Sequence, residues 1–236
     1  MKKKPAKTAP ASRDTTPLKK RIAIVDDHTM MREGLKQLIN AEPEMEVCWA
    51  AASVPEAMTS LEKNTPDMLT VDITLPGRNG LELIKDVLAL VPGLPILVIS
   101  MHDEGLYAQR VLKCGAKGYI MKDAPHDDLM TAIRRVADGK VWLSAKMSED
   151  ILEAFSGGQP RRAVDSAHKL SDREFEVFQL LGEGKSTNQI ADALHISTKT
   201  VDVHKSHIRE KLELEDSSAV LRHAIRWTET RRLTGN

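Results

Sequence analysis

The chain has only two cysteines, Cys48 and Cys114, and neither stands at metal-ligand spacing. That excludes a disulfide framework and fits a reduced interior. No apolar run is long enough to span a membrane, and none near Met1 has the make-up of a secretory leader. A Gly-rich dinucleotide fingerprint and a P-loop are both missing. An excess of one charge is missing too: Lys plus Arg number 34 and Asp plus Glu 34, so only local charge can indicate a partner. What remains is a 236-residue chain, 41% hydrophobic, sufficient for two domains with real cores and expected in the cytoplasm away from any membrane.

The stretch from Asp67 to Gly80 is the most informative. An apolar run ends on the carboxylate of Asp72, and turn residues Pro76, Gly77, Asn79 and Gly80 follow at once. The same grammar recurs along the first half. Strands are predicted at Ile22–Val25, Met45–Ala51, Met68–Val71, Pro95–Ile99 and Gly118–Met121. Helices alternate with them at Met30–Ile39, Ser53–Leu61, Gly80–Leu90, Tyr107–Cys114 and Leu129–Val136. Five strands of nearly continuous apolar character, each followed by a helix, specify a parallel sheet covered on both faces.

Right-handed crossovers bring the carboxyl ends of parallel strands to one edge. Those ends carry Asp26 and Asp27, Asp72, Ser100, and Lys122. Each alone is an ordinary polar group facing water; together they form a crevice of three carboxylates, a hydroxyl and an amine. Three carboxylates repel one another, and a hard divalent cation relieves that repulsion. Mg²⁺ suits a few carboxylates, waters and an incoming phosphate. Lys122 then supplies a point charge for a phosphoryl oxygen and Ser100 a hydrogen-bond donor.

The segments Ile24-Val25-Asp26-Asp27-His28, Val71-Asp72-Ile73-Thr74-Leu75-Pro76 with Gly80, Ser100, and Gly118-Tyr119-Ile120-Met121-Lys122 together resemble the receiver domain of two-component response regulators. The resemblance spans about Arg21 to Trp142. It implies a flavodoxin-like α/β fold with sheet order 2-1-3-4-5 and Asp72 as phosphoacceptor. It also implies Mg²⁺ held by Asp26, Asp72 and the backbone carbonyl of Thr74, with Asp27 a further ligand directly or through water. The phosphodonor would be a sensor histidine kinase. In that family the hydroxyl at Ser100 moves toward the phosphoryl group and the aromatic at Tyr119 turns inward, biasing the face from about Glu104 to Asp138.

Around this domain, expected at 21–143, lie a basic tail over 1–20 and a linker over 144–169 that includes Ser156-Gly157-Gly158-Gln159-Pro160-Arg161-Arg162. A short amphipathic helix is predicted within that linker, at Ser148–Phe155. From Leu170 to the end, over 170–236, the pattern is helical. Ser171 and Glu174 form a capping box, and Gly182 and Gly184 are expected to stop the first helix. A second helix starts at Ser186 or Thr187, a third runs from about Lys199 to Leu212, and a last from about Ser218 to Thr228. Two helices joined by a tight turn, the second bearing basic residues, make a helix-turn-helix within an all-α four-helix unit.

On the third helix Val201, Ile208 and Leu212 share the core-facing stripe, with His204 beside them. Lys199, Thr200, Lys205 and Arg209 are the candidate phosphate contacts on double-stranded DNA. Asp202, Val203 and Ser206 are the candidate base readers. Leu170 to Glu174, Asn188 to Ala191, and Lys199 to His204 with Ile208, Lys211 and Leu212 resemble the LuxR-type helix-turn-helix of the NarL/FixJ response regulators. Asp202 departs from relatives with a basic or polar residue there, and Lys199 or Arg209 is expected to offset its charge.

The reading is therefore a phosphorylation-controlled transcription regulator, not an enzyme, dimeric on DNA when phosphorylated. A magnesium-dependent phosphohydrolase is the alternative from another class, but such enzymes place a second acid two residues after the nucleophile, where this chain has Thr74. A regulator acting without phosphorylation is a third. A metal site at His204 and His207 lacks a third ligand.

Overall fold

The computed structural model describes residues 19–155 and 166–234. Most of the basic tail and the Gly-containing linker stretch lie outside the described residues. Five strands, β1 (Lys20–Val25), β2 (Met45–Ala51), β3 (Met68–Val71), β4 (Ile96–Ser100) and β5 (Gly118–Met121), form one sheet in the order β2-β1-β3-β4-β5, every pair parallel. The helices between them are α1 (Thr29–Ala41), α2 (Val54–Lys63), α3 (Gly80–Leu90), α4 (Glu104–Lys113) and α5 (His126–Ala137).

Alternation along each strand sends side chains to two cores. Ile22, Ile24, Met68, Leu97, Ile99 and Ile120 pack under α1 and α5. Ala23, Val25, Leu69, Val71, Ile96 and Val98 pack under α2, α3 and α4. All four residues of β3 are buried, as a central strand requires, so its next residue, Asp72, emerges where the sheet edge opens. Gly80 opens α3 against that same point: a Cβ there would overlap the carbonyl oxygen of Asp72. The glycine is needed for close approach, not for a special φ.

After α6 (Ala145–Phe155) comes a 3-10 turn at Ser166–Lys169 that the sequence reading did not anticipate. The second half is α7 (Asp172–Gly182), α8 (Thr187–Leu194), α9 (Thr198–Lys211) and α10 (Ser217–Thr234). The predicted capping box at Ser171 and Glu174 is present, and Ser186 with Gln189 forms another at the start of α8. His195, at φ 52°, ends α8 in the left-handed region and sets up the tight turn to α9. α7 ends at Gly182, with Gly184 following at φ 83°, as expected, but Gly182 has a second use. It is the helix's last residue, and a Cβ would strike Thr228 and the Ala224 carbonyl of α10, so its small size lets the two helices touch.

Several helix starts lie outward of the expectation, while α4 and α9 each stop one residue short of it. α1, α4, α5 and α6 each begin one to three residues earlier than the apolar periodicity indicated, and α10 runs to Thr234. Polar first turns carry no apolar signal, so periodicity starts late there. Ser53 precedes α2 but its hydroxyl makes no capping bond. The α2–α4 side core is continuous with the packed interior of α7 to α10, where Phe175, Val177, Phe178, Ile190, Val201, Ile208, Val220 and Ala224 are buried.

Candidate functional site

Strand β1 delivers Asp26 and Asp27, β3 delivers Asp72, and β5 delivers Lys122 to one edge of the sheet. The Lys122 ammonium lies between two carboxylates, 2.7 Å from an oxygen of Asp26 and 2.7 Å from Oδ2 of Asp72. Both acids are nearly fully buried, with side chains 3% exposed, and the lysine is 6% exposed. Burial pushes the Asp72 carboxyl above its usual value, against the pull of Lys122, with the Asp26 charge adding to the rise. Burial alone would lower the Lys122 ammonium; the Asp72 and Asp26 carboxylates outweigh it and hold the group above its usual value.

The structure adds a residue that the sequence reading quoted but gave no role. His28 Nδ1 lies 2.7 Å from Asp27, 3.3 Å from Asp26 and 3.9 Å from Asp72. Ligand atoms of Asp26, Asp27, His28 and Asp72 all fall within 4.8 Å of one another. Although Asp27 Oδ1 is close to His28, the orientation makes no hydrogen bond, and this buried oxygen has no donor. An orphaned carboxylate oxygen among hard oxygen donors is the chemistry a divalent cation satisfies, so the residues fit Mg²⁺. The Asp72 Oδ1 accepts a 3.3 Å bond from the Thr74 backbone N–H, which fixes the turn on which the Thr74 carbonyl sits.

Ser100 closes β4 with no exposed surface, its Oγ accepting from the His102 N–H at 3.4 Å. Tyr119 is fully buried and turned inward, donating its hydroxyl to the His102 carbonyl at 2.6 Å. Burial drives its phenol far above the ordinary range. His102 was missed by the sequence reading: its ring shares a 3.0 Å hydrogen bond with the Thr74 hydroxyl, and burial lowers its basicity. Its position two residues beyond Ser100, mirroring Thr74 two beyond Asp72, was the available clue.

The candidate nucleic-acid face is separate and open. Ser197 caps α9, taking a bond from the Thr200 N–H at 3.1 Å and pairing with the Thr200 hydroxyl at 2.8 Å. Val201 and Ile208 are fully buried and Leu212 packs beside them, as the stripe predicted. His204 is half-buried with no partner for its Nδ1, and burial lowers its pKa. Lys199 and Asp202 are exposed, Val203 is 45% exposed, and Ser206 and Arg209 are half-buried. The partner of Asp202 is neither Lys199 nor Arg209. Lys205 reaches it at 3.4 Å and the Thr187 hydroxyl of α8 at 3.3 Å, because one helical turn places Lys205 beside Asp202. His207 lies 3.7 Å from Glu174, which also takes Lys211 at 2.7 Å, so α9 is tied to α7 by charge. Among the described residues the Asp26 group alone has the make-up of a metal cluster.

Sequence comparison agrees with this architecture. Residues 22–134 match the family described as response regulator receiver domain, and residues 168–224 that described as bacterial regulatory proteins, luxR family. The oxygen regulatory protein NreC of Staphylococcus carnosus is 34% identical over 210 residues, covering 87% of this chain and 97% of NreC. The transcriptional regulatory protein DegU of Brevibacillus brevis is 34% identical over 230 residues, covering 89% of this chain and 95% of DegU. Among solved structures, RcsB of Salmonella enterica serovar Typhimurium bound to promoter rprA with a phosphomimetic is similar at TM-score 0.58 and 25% identity, covering 87% of this chain and 98% of that one. The chain belongs to the NarL/FixJ family of two-component response regulators, with a receiver domain and a LuxR-type DNA-binding domain. Its function is that of a transcriptional response regulator. No helix among the described residues is long and apolar enough to cross a membrane.

Proposed function

We propose that Asp72 is the phosphoacceptor and that its phosphorylation by a sensor histidine kinase controls DNA binding through α9. The observation that carries this reading is the Lys122 ammonium held at 2.7 Å between the buried Asp72 and Asp26 carboxylates, a preset charge beside a strand-end nucleophile. An Asp72 oxygen attacks the phosphorus of a phosphohistidine; the O–P bond forms as the P–N bond breaks, and the imidazole leaves. Lys122 shifts its ammonium onto a phosphoryl oxygen, and Ser100 donates its hydroxyl to another. Asp26, Asp72 and the Thr74 carbonyl would hold Mg²⁺, with Asp27 doing so directly or through water, and the ion would offset the negative charge of the phosphoryl group. Tyr119 occupies the space beneath the Ser100 turn.

The phosphoacceptor unit is 21–143, the linker 144–169 and the DNA-binding unit 170–236. Lys199, Thr200, Lys205 and Arg209 contact phosphates, while Asp202, Val203 and Ser206 meet base edges in the major groove. Two chains bind two half-sites, in the cytoplasm. The chain transfers no group onward as an enzyme would. Asp72→Ala should abolish uptake of phosphate from a small acyl-phosphate donor with Mg²⁺, followed by phosphate-affinity electrophoresis; uptake that persists would overturn the assignment.

A further inference from the structure

The apolar core under α2, α3 and α4 continues into the DNA-binding unit, and α4 makes the join. Tyr107 is fully buried there; its hydroxyl donates to Gln179 of α7 at 3.0 Å, and its ring meets Phe175 edge-on at 5.3 Å. One turn on, Arg110 donates to the carbonyls of Ala167 at 2.6 Å and Leu170 at 3.0 Å and to Asp172 at 3.3 Å. Its guanidinium carbon lies 4.1 Å from the Phe175 ring centroid. Lys85 of α3 takes the other Asp172 oxygen at 2.8 Å. A planar guanidinium used on three acceptors and an aromatic face is a clamp, not a loose surface contact.

The far side of the clamp leads to the phosphoacceptor pocket. The Asp72 carboxylate accepts from the Thr74 N–H at 3.3 Å, the Thr74 hydroxyl bonds the His102 ring at 3.0 Å, and that ring lies 4.7 Å from Tyr107. Tyr119 pins the same turn through the His102 carbonyl. With the two units docked, α9 still presents Val203, Asp202 and Lys199 to solvent.

We propose that α4 is an intramolecular docking element that couples the pocket to α7, with His102 and Tyr107 as positioning residues. Docking sets the orientation of the DNA-binding unit and leaves the reading face of α9 uncovered. This rests on the phosphoacceptor reading above. A run of contacts is not by itself a coupling; coupling is reciprocal, so a change on α7 must alter the chemistry at Asp72.

The full chain decides it, with Asp172→Asn and Tyr107→Phe, singly and together. Hydrogen exchange of α4 and α7 should quicken at least threefold in Asp172→Asn. The half-life of the acyl phosphate on Asp72 should change at least threefold in that variant, although the substitution lies in the other unit. The two substitutions should be non-additive in that half-life. Unchanged exchange in both single variants would overturn docking, and quickened exchange with an unchanged half-life would overturn the relay. A parent chain that takes up no phosphate refutes the phosphoacceptor reading and the relay with it, while exchange still tests docking. Unphosphorylated Asp172→Asn should bind a random duplex within twofold of the parent; a tenfold gain would mean that docking covers α9 and would overturn the orientation model.

Discussion

Two Lys–Asp contacts in this chain use the same residue types and differ in consequence. Lys122 meets Asp72 and Asp26 at 2.7 Å among groups only 3% to 6% exposed, whereas Lys205 meets Asp202 at 3.4 Å with side chains 23% and 63% exposed. In the crevice, water is excluded, so removing one charge strands the others. On α9, water screens the longer pair, which carries little energy. The buried pair stores an electrostatic imbalance that a cation or phosphoryl group can exploit. The exposed pair leaves a surface free to rearrange on DNA.

The sharpest way to test that contrast is Lys122→Met. Two buried carboxylates would lose their shared partner, and the metal-free protein should lose about 3 kcal/mol in urea unfolding. Added Mg²⁺ should restore most of it, because the ion replaces the missing charge. A loss below about 1 kcal/mol, the size expected of an exposed pair, would place the crevice in the same class as α9.

An intermediate case lies between the two regions. Glu176 of α7 is buried and bonded to Arg173 at 2.8 Å. Burial raises its carboxyl from 4.5 to about 7, with Arg173 opposing the rise. The unfolded chain gives up this proton at lower pH than the folded one does, so the folded state binds more protons in that window. The contribution to stability is therefore complete below about 4.5 and declines as pH rises toward about 7. Glu176→Gln should flatten that part of the stability profile; an unaltered slope would assign it to other groups.

The smallest effect is expected from Lys205→Met, which should change stability by under about 1 kcal/mol. Its signature belongs to DNA binding, where losing one phosphate contact should lower the slope of log affinity against log salt by about one. An unchanged slope would remove Lys205 from the phosphate contacts and leave it only as the partner of Asp202.

Much of the crevice was legible beforehand because strand-end residues announce themselves. A buried strand is an apolar run, and the first polar residue after it must lie at the edge where crossovers gather the strand ends. Asp26, Asp72, Ser100 and Lys122 could be named from that rule. His28 and His102 were given no role: the His102 bond to Thr74 crosses between loops after different strands, whereas His28 sits in its own loop beside Asp26 and Asp27 and only its approach to Asp72 needs the fold. The Asp202 partner went wrong differently: Lys205, one helical turn on, is as near in sequence as Lys199 and nearer than Arg209, and its ammonium also bonds the Thr187 hydroxyl of α8.

The order of apolar runs and turns, by itself, determined a five-stranded parallel sheet, a helix-turn-helix and the acids that share an edge. Periodicity and turn chemistry act over a few residues, and the handedness of crossovers does the rest. Tertiary structure decided where Lys122 places its charge, that Gly182 is a helix contact, and that α4 receives α7 through Tyr107 and Arg110. Those outcomes depend on surfaces meeting between residues far apart in the chain, where burial sets the strength of every charge and local pattern carries no information about the partner.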